Sequence, residues 1–327
     1  MRRRDFIKAI SGAATAWPLA ARAQEPMRRI GWLEQGHPDD PAAQARIAAV
    51  KADLEKLGWV IGRNLQIDYR WGVTSVERAQ QLGGELLSLS PDVILSAGSP
   101  GVKALQQATK TVPILFIFVA EPVDQGFVET LSHPGGNITG FAYLERPIGA
   151  KWLTLLTEIA PRVKHVAYIF SPQAAPYAHF YYEAAQAAGQ KLGIQVGIDP
   201  LTDPAAIEPI VTKLGPDGGV IFNADAFINN NQKVAVDLAA RYRIPAIYGN
   251  GSASAKAGCL ITYNLDVMAQ VRQIAPYFDQ IFRGAKPGDL PVQQPTKFLY
   301  TINLSTAKAL GLAVPLTMQM TADEVIE

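Results

Sequence analysis

Cysteine and histidine are scarce in this 327-residue chain. Cys259 is the only cysteine, which excludes an internal disulfide and a cage of thiolate metal ligands. The four histidines stand apart from one another and form no metal-ligand spacing such as HExxH. We therefore predict neither a metal nor a cofactor. Because two apolar residues, Leu260 and Ile261, follow Cys259, we expect its thiol to be buried and structural.

The sequence motifs that usually accompany catalysis are also missing. There is no GxxxxGK[ST] phosphate loop and no GxSxG nucleophile elbow, and the Gly-Asn-Gly at 249–251 is not extended to GxGxxG. We expect a protein that is not an enzyme. An enzyme built on the same architecture stays as an alternative, and it would need a paired acid and base in a cleft.

Charge is low and unevenly placed, with 18% charged residues against 48% hydrophobic residues. Of the 30 basic and 29 acidic residues, five basic and one acidic lie in 1–23, which leaves 25 and 28 and a net charge of −3. Such a chain has no broad electrostatic attraction for nucleic acid, so we expect no nucleic-acid partner. Its apolar content is enough for a large folded core.

Residues 1–23 carry the three parts of a secretory signal in order. Arginines at 2–4 form a basic start, residues 9–20 are short and apolar, and Ala21-Arg22-Ala23 is an A-x-A cleavage site. The pattern RRDFIK at 3–8 matches the twin-arginine export route. We predict cleavage after Ala23 and a periplasmic mature protein. The alternative is a basic N-terminal helix of a cytosolic protein.

From residue 28 onward, short apolar runs alternate with amphipathic segments, which predicts an α/β fold with parallel sheets covered on both faces. The expected strands are 29–33, 65–69, 92–96, 113–119, 165–170, 195–198, 219–222 and 245–248. The expected helices are 42–57, 75–89, 101–108, 177–192, 205–214 and 230–242. Because LSPD at 89–92 is repeated as LGPD at 214–217, we predict two doubly wound parallel-sheet lobes, the alternative being one long sheet.

After residue 263 the pattern no longer repeats. We predict a helix at 267–283, a strand at 297–302 and a helix at 305–310 that Ser305 caps. These extra pieces should cross back between the lobes and form a hinge near Tyr143, Asn264 and Pro295. The predicted lobe boundaries are 28–142 plus 265–294 for lobe 1 and 143–264 plus 295–327 for lobe 2.

Ligands of open α/β sheets bind beyond the carboxyl ends of the strands, so the strand ends of both lobes should line a cleft. In lobe 1, Gly98, Ser99 and Pro100 begin a helix whose N–H groups, with the Ser99 hydroxyl, suit a carboxylate; the alternative is an ordinary helix cap. Glu121 is either a ligand contact or a hinge turn. Tyr143, at the first crossing, completes this wall of the predicted site.

In lobe 2 the predicted site follows three strands. Asp225, with Asn223 beside it, is placed to take an amino group or a hydroxyl, or else it is a turn residue that bonds its own backbone. Ser171 stands at a strand end. Tyr177 is placed to stack on a flat ligand, and Tyr248 is a weaker candidate of the same kind.

Several stretches occur together: DLEKLGW at 53–59, GRN at 62–64, PDVI at 91–94, PGGNITG at 134–140 and PVQQPTKF at 291–298. Together they resemble the family of ABC transporter substrate-binding proteins that includes tryptophan- and tyrosine-binding members. The resemblance runs from about residue 28 to the C-terminal ADEVIE at 322–327. Family members often carry Asp where Glu121 stands, one methylene shorter.

The resemblance implies a type I periplasmic binding fold. It also implies that the protein captures a small organic ligand, an amino acid or an aromatic or carboxylate compound, and delivers it to an ABC permease in the inner membrane. A periplasmic ligand sensor for a membrane receptor is the alternative that shares this fold. No helix-turn-helix precedes the first lobe, which disfavours a repressor built on the same lobes. We expect a monomer.

Overall fold

The computed structural model describes residues 27–249, 251 and 253–327, so the predicted signal at 1–23 lies outside the described residues. Within them the strands are β1 (Arg28–Leu33), β2 (Leu65–Arg70), β3 (Val93–Ala97), β4 (Ile114–Val119), β5 (Ile138–Ala142), β6 (His165–Phe170), β7 (Gln195–Pro200), β8 (Gly218–Phe222), β9 (Ala246–Tyr248), β10 (Ile261–Leu265), β11 (Phe298–Asn303) and β12 (Glu324–Ile326).

Helices separate most of these strands. They are α1 (Pro41–Lys56), α2 (Val76–Ser88), α3 (Ser99–Ala108), α4 (Ile148–Ile159), α5 (Ala178–Leu192), α6 (Ile207–Leu214), α7 (Ala226–Asn230), α8 (Gln232–Arg241), α9 (Ala253–Lys256), α10 (Val267–Val271), α11 (Ile274–Phe282), α12 (Leu304–Ala309) and α13 (Leu316–Thr321). No helix among the described residues has both the length and the apolarity that crossing a membrane requires.

The first sheet contains five parallel strands in the order β2-β1-β3-β4-β5. Its inner strands are apolar without alternation, because helices cover both faces. On one face α1 packs with α10 and α11, and on the other face lie α2 and α3. This half therefore has two hydrophobic layers, one on each side of a buried sheet.

The second sheet has seven strands in the order β12-β11-β10-β9-β8-β6-β7. Five of them are parallel, β11 runs antiparallel to β10, and β12 runs parallel to β11. The α4–α5 pair covers one face together with α12 and α13, and α6, α7 and α8 cover the other. The prediction of an α/β protein with two doubly wound sheets is confirmed, with the antiparallel β11 as an addition to it.

The chain passes between the two sheets three times. It leaves the first sheet after β5, returns after β10 to build α10 and α11, and leaves again before β11. Before the last passage, Gln293 bridges to Phe141 beside the end of β5. The passages therefore lie next to one another, at the carboxyl ends of β5 and β10.

Several predicted helix bounds are wrong. The helix expected at 267–283 is interrupted between α10 and α11, because Pro276 has no N–H to bond the carbonyl of Arg272. The helix expected at 230–242 is α8, which begins two residues later and ends one residue earlier than predicted, and the short α7 before it is a separate helix. The helix expected to be capped by Ser305 begins one residue earlier and is capped by Asn303, whose Oδ1 accepts the Thr306 N–H at 2.8 Å.

Strands β5, β10 and β12 and helices α4, α7, α9 and α13 were not predicted. Strand β5 is only five residues long and contains Gly140, whose φ of 156° lets the backbone pass against Phe116 where a Cβ would collide. A glycine inside a short apolar run weakens the strand signal in a single sequence. Cys259 is fully buried, so the prediction of a buried thiol is confirmed.

Candidate functional site

The carboxyl ends of β4 and β5 meet at the first passage between the sheets. Phe118, near the end of β4, sits in an irregular register with β5 and has a φ of 58°, which is uncommon for a residue with a branched or bulky side chain. Its ring packs against the cores of both halves. Phe118 therefore lies at the boundary between the two halves.

Arg46 of α1 lies on the face of the Phe118 ring, with its guanidinium carbon 5.2 Å from the ring centroid. Its Nη2 donates to Oε1 of Glu34 at 3.3 Å, and only 13% of its side chain is exposed. Glu34 follows β1 and is almost fully buried, and its Oε2 accepts the indole N–H of Trp32 at 3.3 Å. A buried ion pair thus stands at this end of the first sheet.

Tyr143 joins the two halves at the first passage. Its ring meets Phe118 edge to face at 5.6 Å, and its hydroxyl accepts the side-chain amide of Asn264 at 2.8 Å. Burial, with a smaller contribution from the charge of Asp225, raises the pKa of Tyr143 to about 12 against the lowering effects of the Asn264 hydrogen bond and of Arg46. Asp225 and Arg46 are therefore both close enough to Tyr143 to act on it with opposite signs.

Asp225 ends the loop after β8 and is 7% exposed. Its Oδ1 accepts the Ile228 N–H at 2.9 Å, and its Oδ2 accepts the Ser171 N–H at 3.2 Å and the Asn223 side-chain amide at 3.0 Å. Burial raises its pKa to about 6, and these hydrogen bonds hold the pKa below what burial alone would give. In the described part of the chain, no cation pairs with this carboxylate.

The start of α3 differs from the prediction. Gly98 with φ 82° is the N-cap, and Ser99 and Pro100 are the first two helical residues, so Ser99 is not the cap. The amide of Gln35 lies where a Cβ on Gly98 would be, and the Ser99 hydroxyl accepts from Gln125 at 3.0 Å. Ser99 is only 1% exposed, so side chains cover this helix start.

Glu121 is turned toward Arg146. Its Oε1 accepts the Arg146 backbone N–H at 2.9 Å, and Asp124 and Glu183 also pair with the guanidinium. Arg146 lies on the ring of Phe180, 4.0 Å from the centroid. Glu121 has a left-handed backbone (φ 43°), and in this conformation its carboxylate is held by Arg146; its part in a hinge or in ligand contact stays a prediction.

The two tyrosines predicted to stack on a ligand lie in different places. Tyr177 donates its hydroxyl to the Ala224 carbonyl at 3.2 Å, which keeps its ring beside Asp225 but buried. Tyr248 is stacked on Phe222 at 4.9 Å inside the core beneath α8, 1% exposed. That burial corrects the prediction of an available stacking face on Tyr248.

The structure thus brings together Ser171, Asn223, Asp225, Tyr177 and Tyr143. Arg46, Glu34 and Phe118 were not among the predicted site residues. A signal for Arg46 was present: it falls three residues after Ala43 and four before Val50, on the stripe of α1 that is buried. An arginine on an apolar stripe indicates a buried charge that needs a partner.

Among the described residues, no group of three or more His, Cys, Asp or Glu could hold a metal ion. This region holds one carboxylate, Asp225, and one guanidinium, Arg46, both close enough to the Tyr143 hydroxyl to act on its pKa. Such a constellation binds charged or polar groups through hydrogen bonds and ion pairs.

Comparison with known proteins identifies the family. The family described as ABC transporter substrate binding protein matches residues 38–326, most of the chain. The chain belongs to this family. A tyrosine-binding protein of Clostridioides difficile (strain R20291) is 24% identical over 271 residues, which span 82% of this chain and 77% of that protein.

Solved structures agree on the fold of this substrate-binding protein. The ABC domain in complex with L-Trp from Streptococcus pneumonia has a TM-score of 0.82 at 20% identity, covering 92% of this chain and 100% of that one. A conserved domain protein from Vibrio cholerae has a TM-score of 0.83 at 24% identity over 91% and 99%. A LacI family transcriptional regulator from Bifidobacterium animalis, at TM-score 0.59 and 13% identity over 84% and 96%, confirms the type I periplasmic binding fold.

Proposed function

We propose that this protein is the periplasmic solute-binding component of an ABC importer. It captures a small organic ligand, an amino acid or an aromatic carboxylate, between its two lobes and delivers it to a permease in the inner membrane. The observation that carries the proposal is Asp225: a buried carboxylate with no cationic partner in the described residues, close enough to Tyr143 to act on its pKa, as Arg46 also is.

A buried carboxylate is costly unless it is paired or fully hydrogen-bonded. Asp225 has three hydrogen-bond donors but no positive charge beside it. The ammonium group of a ligand would supply that charge. The side chains of Tyr143 and Tyr177 lie within electrostatic reach of Asp225, and their buried rings make its surroundings largely apolar.

The relatives support an amino acid as the ligand. The Clostridioides difficile relative is a tyrosine-binding protein, and the Streptococcus pneumonia structure holds L-Trp. An amino acid presents an ammonium group to Asp225 and a carboxylate to lobe 1, where our sequence analysis places Gly98, Ser99 and Pro100.

The ligand would act by closing the lobes, with the boundaries 28–142 plus 265–294 and 143–264 plus 295–327. Three adjacent passages of the chain suit a hinge between two rigid bodies. A ligand that touches both lobes gains its full set of contacts only in the closed form, and only such a difference shifts the equilibrium toward closure. The protein would act as a monomer, without catalysis.

Periplasmic location rests on the sequence of residues 1–23. Replacing Arg3 and Arg4 with Lys should leave precursor in the cytoplasm, because the paired arginines specify the twin-arginine route. Immunoblots of cell fractions would show it. Mature protein beginning at Gln24 in the periplasm of the variant would contradict that route, although export by the general route would stand.

Calorimetry with a panel of amino acids and aromatic carboxylates tests ligand capture. Asp225→Ala should weaken binding about 10- to 150-fold, because a charged hydrogen-bonded partner contributes about 1.5–3 kcal/mol. Ser99→Ala should cost no more than about fivefold, since a hydroxyl contributes about 1 kcal/mol. Asp203→Ala is the matched control: Asp203 also caps a helical turn but is exposed. Parent-like binding by Asp225→Ala would place the site elsewhere.

The sensor alternative shares every feature of the cleft. A ligand that is taken up by cells only when this protein and its permease are both present supports import. A ligand that is bound but not taken up supports sensing. Chemical change of the ligand during incubation with the protein would favour the enzyme.

A further inference from the structure

We propose that the guanidinium of Arg46 is the anion-binding subsite of the cleft, which takes the carboxylate of a ligand whose amino group meets Asp225. The inference rests on the proposed function, because it assumes that a small ligand occupies the cleft. It assigns a role to a residue that no sequence motif pointed to.

The donors of Arg46 are largely unused. A guanidinium carries five N–H donors, and here a single one donates, from Nη2 to Glu34 Oε1 at 3.3 Å. The Nε atom is buried and has no hydrogen-bond partner in the described part of the protein. A buried donor without a partner is unfavourable, and an incoming oxyanion would satisfy it.

Glu34 holds Arg46 in place but accepts only one of its N–H donors. Besides Arg46, its two oxygens accept the Gln35 N–H at 3.1 Å and the Trp32 indole N–H at 3.3 Å. The carboxylate therefore divides its acceptor capacity among three donors, and its link to Arg46 is a single long hydrogen bond. A ligand carboxylate bonded to Nε–H and a neighbouring η N–H would form the two-pronged contact that Glu34 does not make.

The Phe118 ring supports the Arg46 guanidinium through a cation–π contact. The flat group lies over the ring face at 5.2 Å, and the ring in turn meets Tyr143 edge to face at 5.6 Å. The left-handed backbone of Phe118 (φ 58°) occurs in the irregular part of β4 and projects the ring to the boundary between the halves. Backbone strain of this kind is typical of functional sites.

The two charges of the cleft suit a zwitterion. Arg46 belongs to α1 on the first sheet, Asp225 follows β8 of the second, and Tyr143 experiences both charges. A ligand bearing a carboxylate and an ammonium group on one end would bridge them and hold the two halves together. An amine that lacks the carboxylate would engage only Asp225.

The start of α3 is the competing position for the carboxylate. There the Ser99 hydroxyl already accepts from Gln125, and Gln35 covers Gly98. A carboxylate at this place would have to displace neutral side chains and would meet no full positive charge. The geometry therefore favours Arg46, and the two positions are separated by experiment.

The test compares L-tyrosine and L-tryptophan with tyramine and tryptamine, the same molecules without the carboxylate. In Arg46→Gln, calorimetric affinity for the amino acids should fall about tenfold or more, the size expected for a charged hydrogen-bonded contact, while affinity for the amines stays within about twofold. Arg46→Lys should recover part of the loss, because Lys keeps the charge but not the planar fork.

Arg46→Gln leaves Glu34 buried without its cation, so the double variant Glu34→Gln/Arg46→Gln serves as a second test that removes both charges. It should lose the same preference for acid over amine. If either folded variant keeps the preference, or weakens acid and amine equally, the Arg46 subsite is overturned while the proposed function stands. Loss of the preference in Ser99→Ala instead would place the carboxylate at α3. If the wild type binds none of these probes and no other amino acid, the proposed function fails and the subsite with it.

Discussion

At the scale of single residues, Asp225 is subject to two opposing influences. Burial raises its pKa, whereas hydrogen bonds from Asn223, Ile228 and Ser171 lower it, and the balance lies at about 6 against an ordinary 3.8. The carboxylate is thus ionised at neutral pH and takes up a proton in mildly acidic solution. The negative charge of ionised Asp225 would attract the ammonium group of a ligand.

Ligand affinity should therefore fall as pH drops through about 6, approaching tenfold per pH unit below it, because protonated Asp225 no longer attracts an ammonium group. Calorimetry between pH 5 and 8 would measure this dependence. The Asp225→Ala variant should show a flat profile over the same range. Undiminished affinity of the wild type at pH 5 would contradict the assignment.

As pH falls, the stability of the unliganded protein should rise, whereas its affinity for ligand should fall. Because the folded-state pKa of Asp225 lies above the ordinary value of 3.8, the folded state binds a proton more readily than the unfolded chain between about pH 6 and 4. The contribution of this group to the free energy of unfolding thus rises as pH falls through that window. Thermal unfolding of the wild type relative to Asp225→Ala would show it.

Cys259 should be unreactive in the folded protein. It is fully buried among the side chains beneath α8, and burial raises the pKa of its thiol well above the ordinary value. Because only the thiolate attacks, a disulfide reagent such as dithionitrobenzoate at pH 8 should label it slowly in buffer and stoichiometrically in guanidinium chloride. Rapid labelling in buffer would show that the core opens around it.

Proximity could be predicted from the sequence for residues that follow strand ends, while their part in ligand binding stays a prediction. Asp225, Asn223 and Ser171 come directly after strands, and the structure places them in mutual contact. The sequence did not predict which side chains contact one another at the site. Which side chain fills a gap, as Gln125 does at Ser99, depends on contacts between distant segments that strand spacing does not reveal.

At the scale of elements, the α4–α5 pair depends on one glycine. Gly149, the second residue of α4, lies against the backbone of Tyr181 in α5 so closely that an added Cβ would overlap its carbonyl oxygen. Backbone atoms cannot rotate away as a side chain can. The two helices could accommodate a larger residue only by separating, which would disturb the hydrophobic core that both of them cover.

Gly149→Ala should accordingly destabilise the protein by about 1–3 kcal/mol through overpacking, despite the better helix propensity of alanine. Gly84→Ala is the matched control, because Gly84 lies in α2, is exposed and has nothing within 4 Å of its added Cβ. That variant should gain up to about 1 kcal/mol. Chemical denaturation would measure both, and equal effects would contradict the contact.

Element types were easier to predict than element ends. The buried runs of β3, β4, β6 and β8 have no alternation, which made them recognisable as strands of a covered parallel sheet. Helix ends depended on local details such as the position of Pro276. The antiparallel β11 could not be foreseen, because strand direction is fixed by the path of the chain between the halves and not by composition.

At the scale of the whole molecule, the three passages make closure the expected response to ligand. The radius of gyration from solution scattering should decrease when a ligand found by calorimetry is added at saturation, because the lobes move toward each other. Asp225→Ala at the same ligand concentration should scatter like the unliganded protein. An unchanged profile of the saturated wild type would contradict a hinged clamp.

During synthesis, the first sheet is complete well before all the helices that cover it have been made. Its five strands are complete at Ala142, but α10 and α11, which cover one face of it, begin only at Val267. At translation rates of about 5–20 residues per second, the intervening segment takes on the order of ten seconds to synthesise. During that time only α1 covers the apolar sheet face that α10 and α11 later share with it. The nascent protein is therefore most vulnerable to aggregation while the second half is still on the ribosome, and slower elongation after β5 should lower the soluble yield.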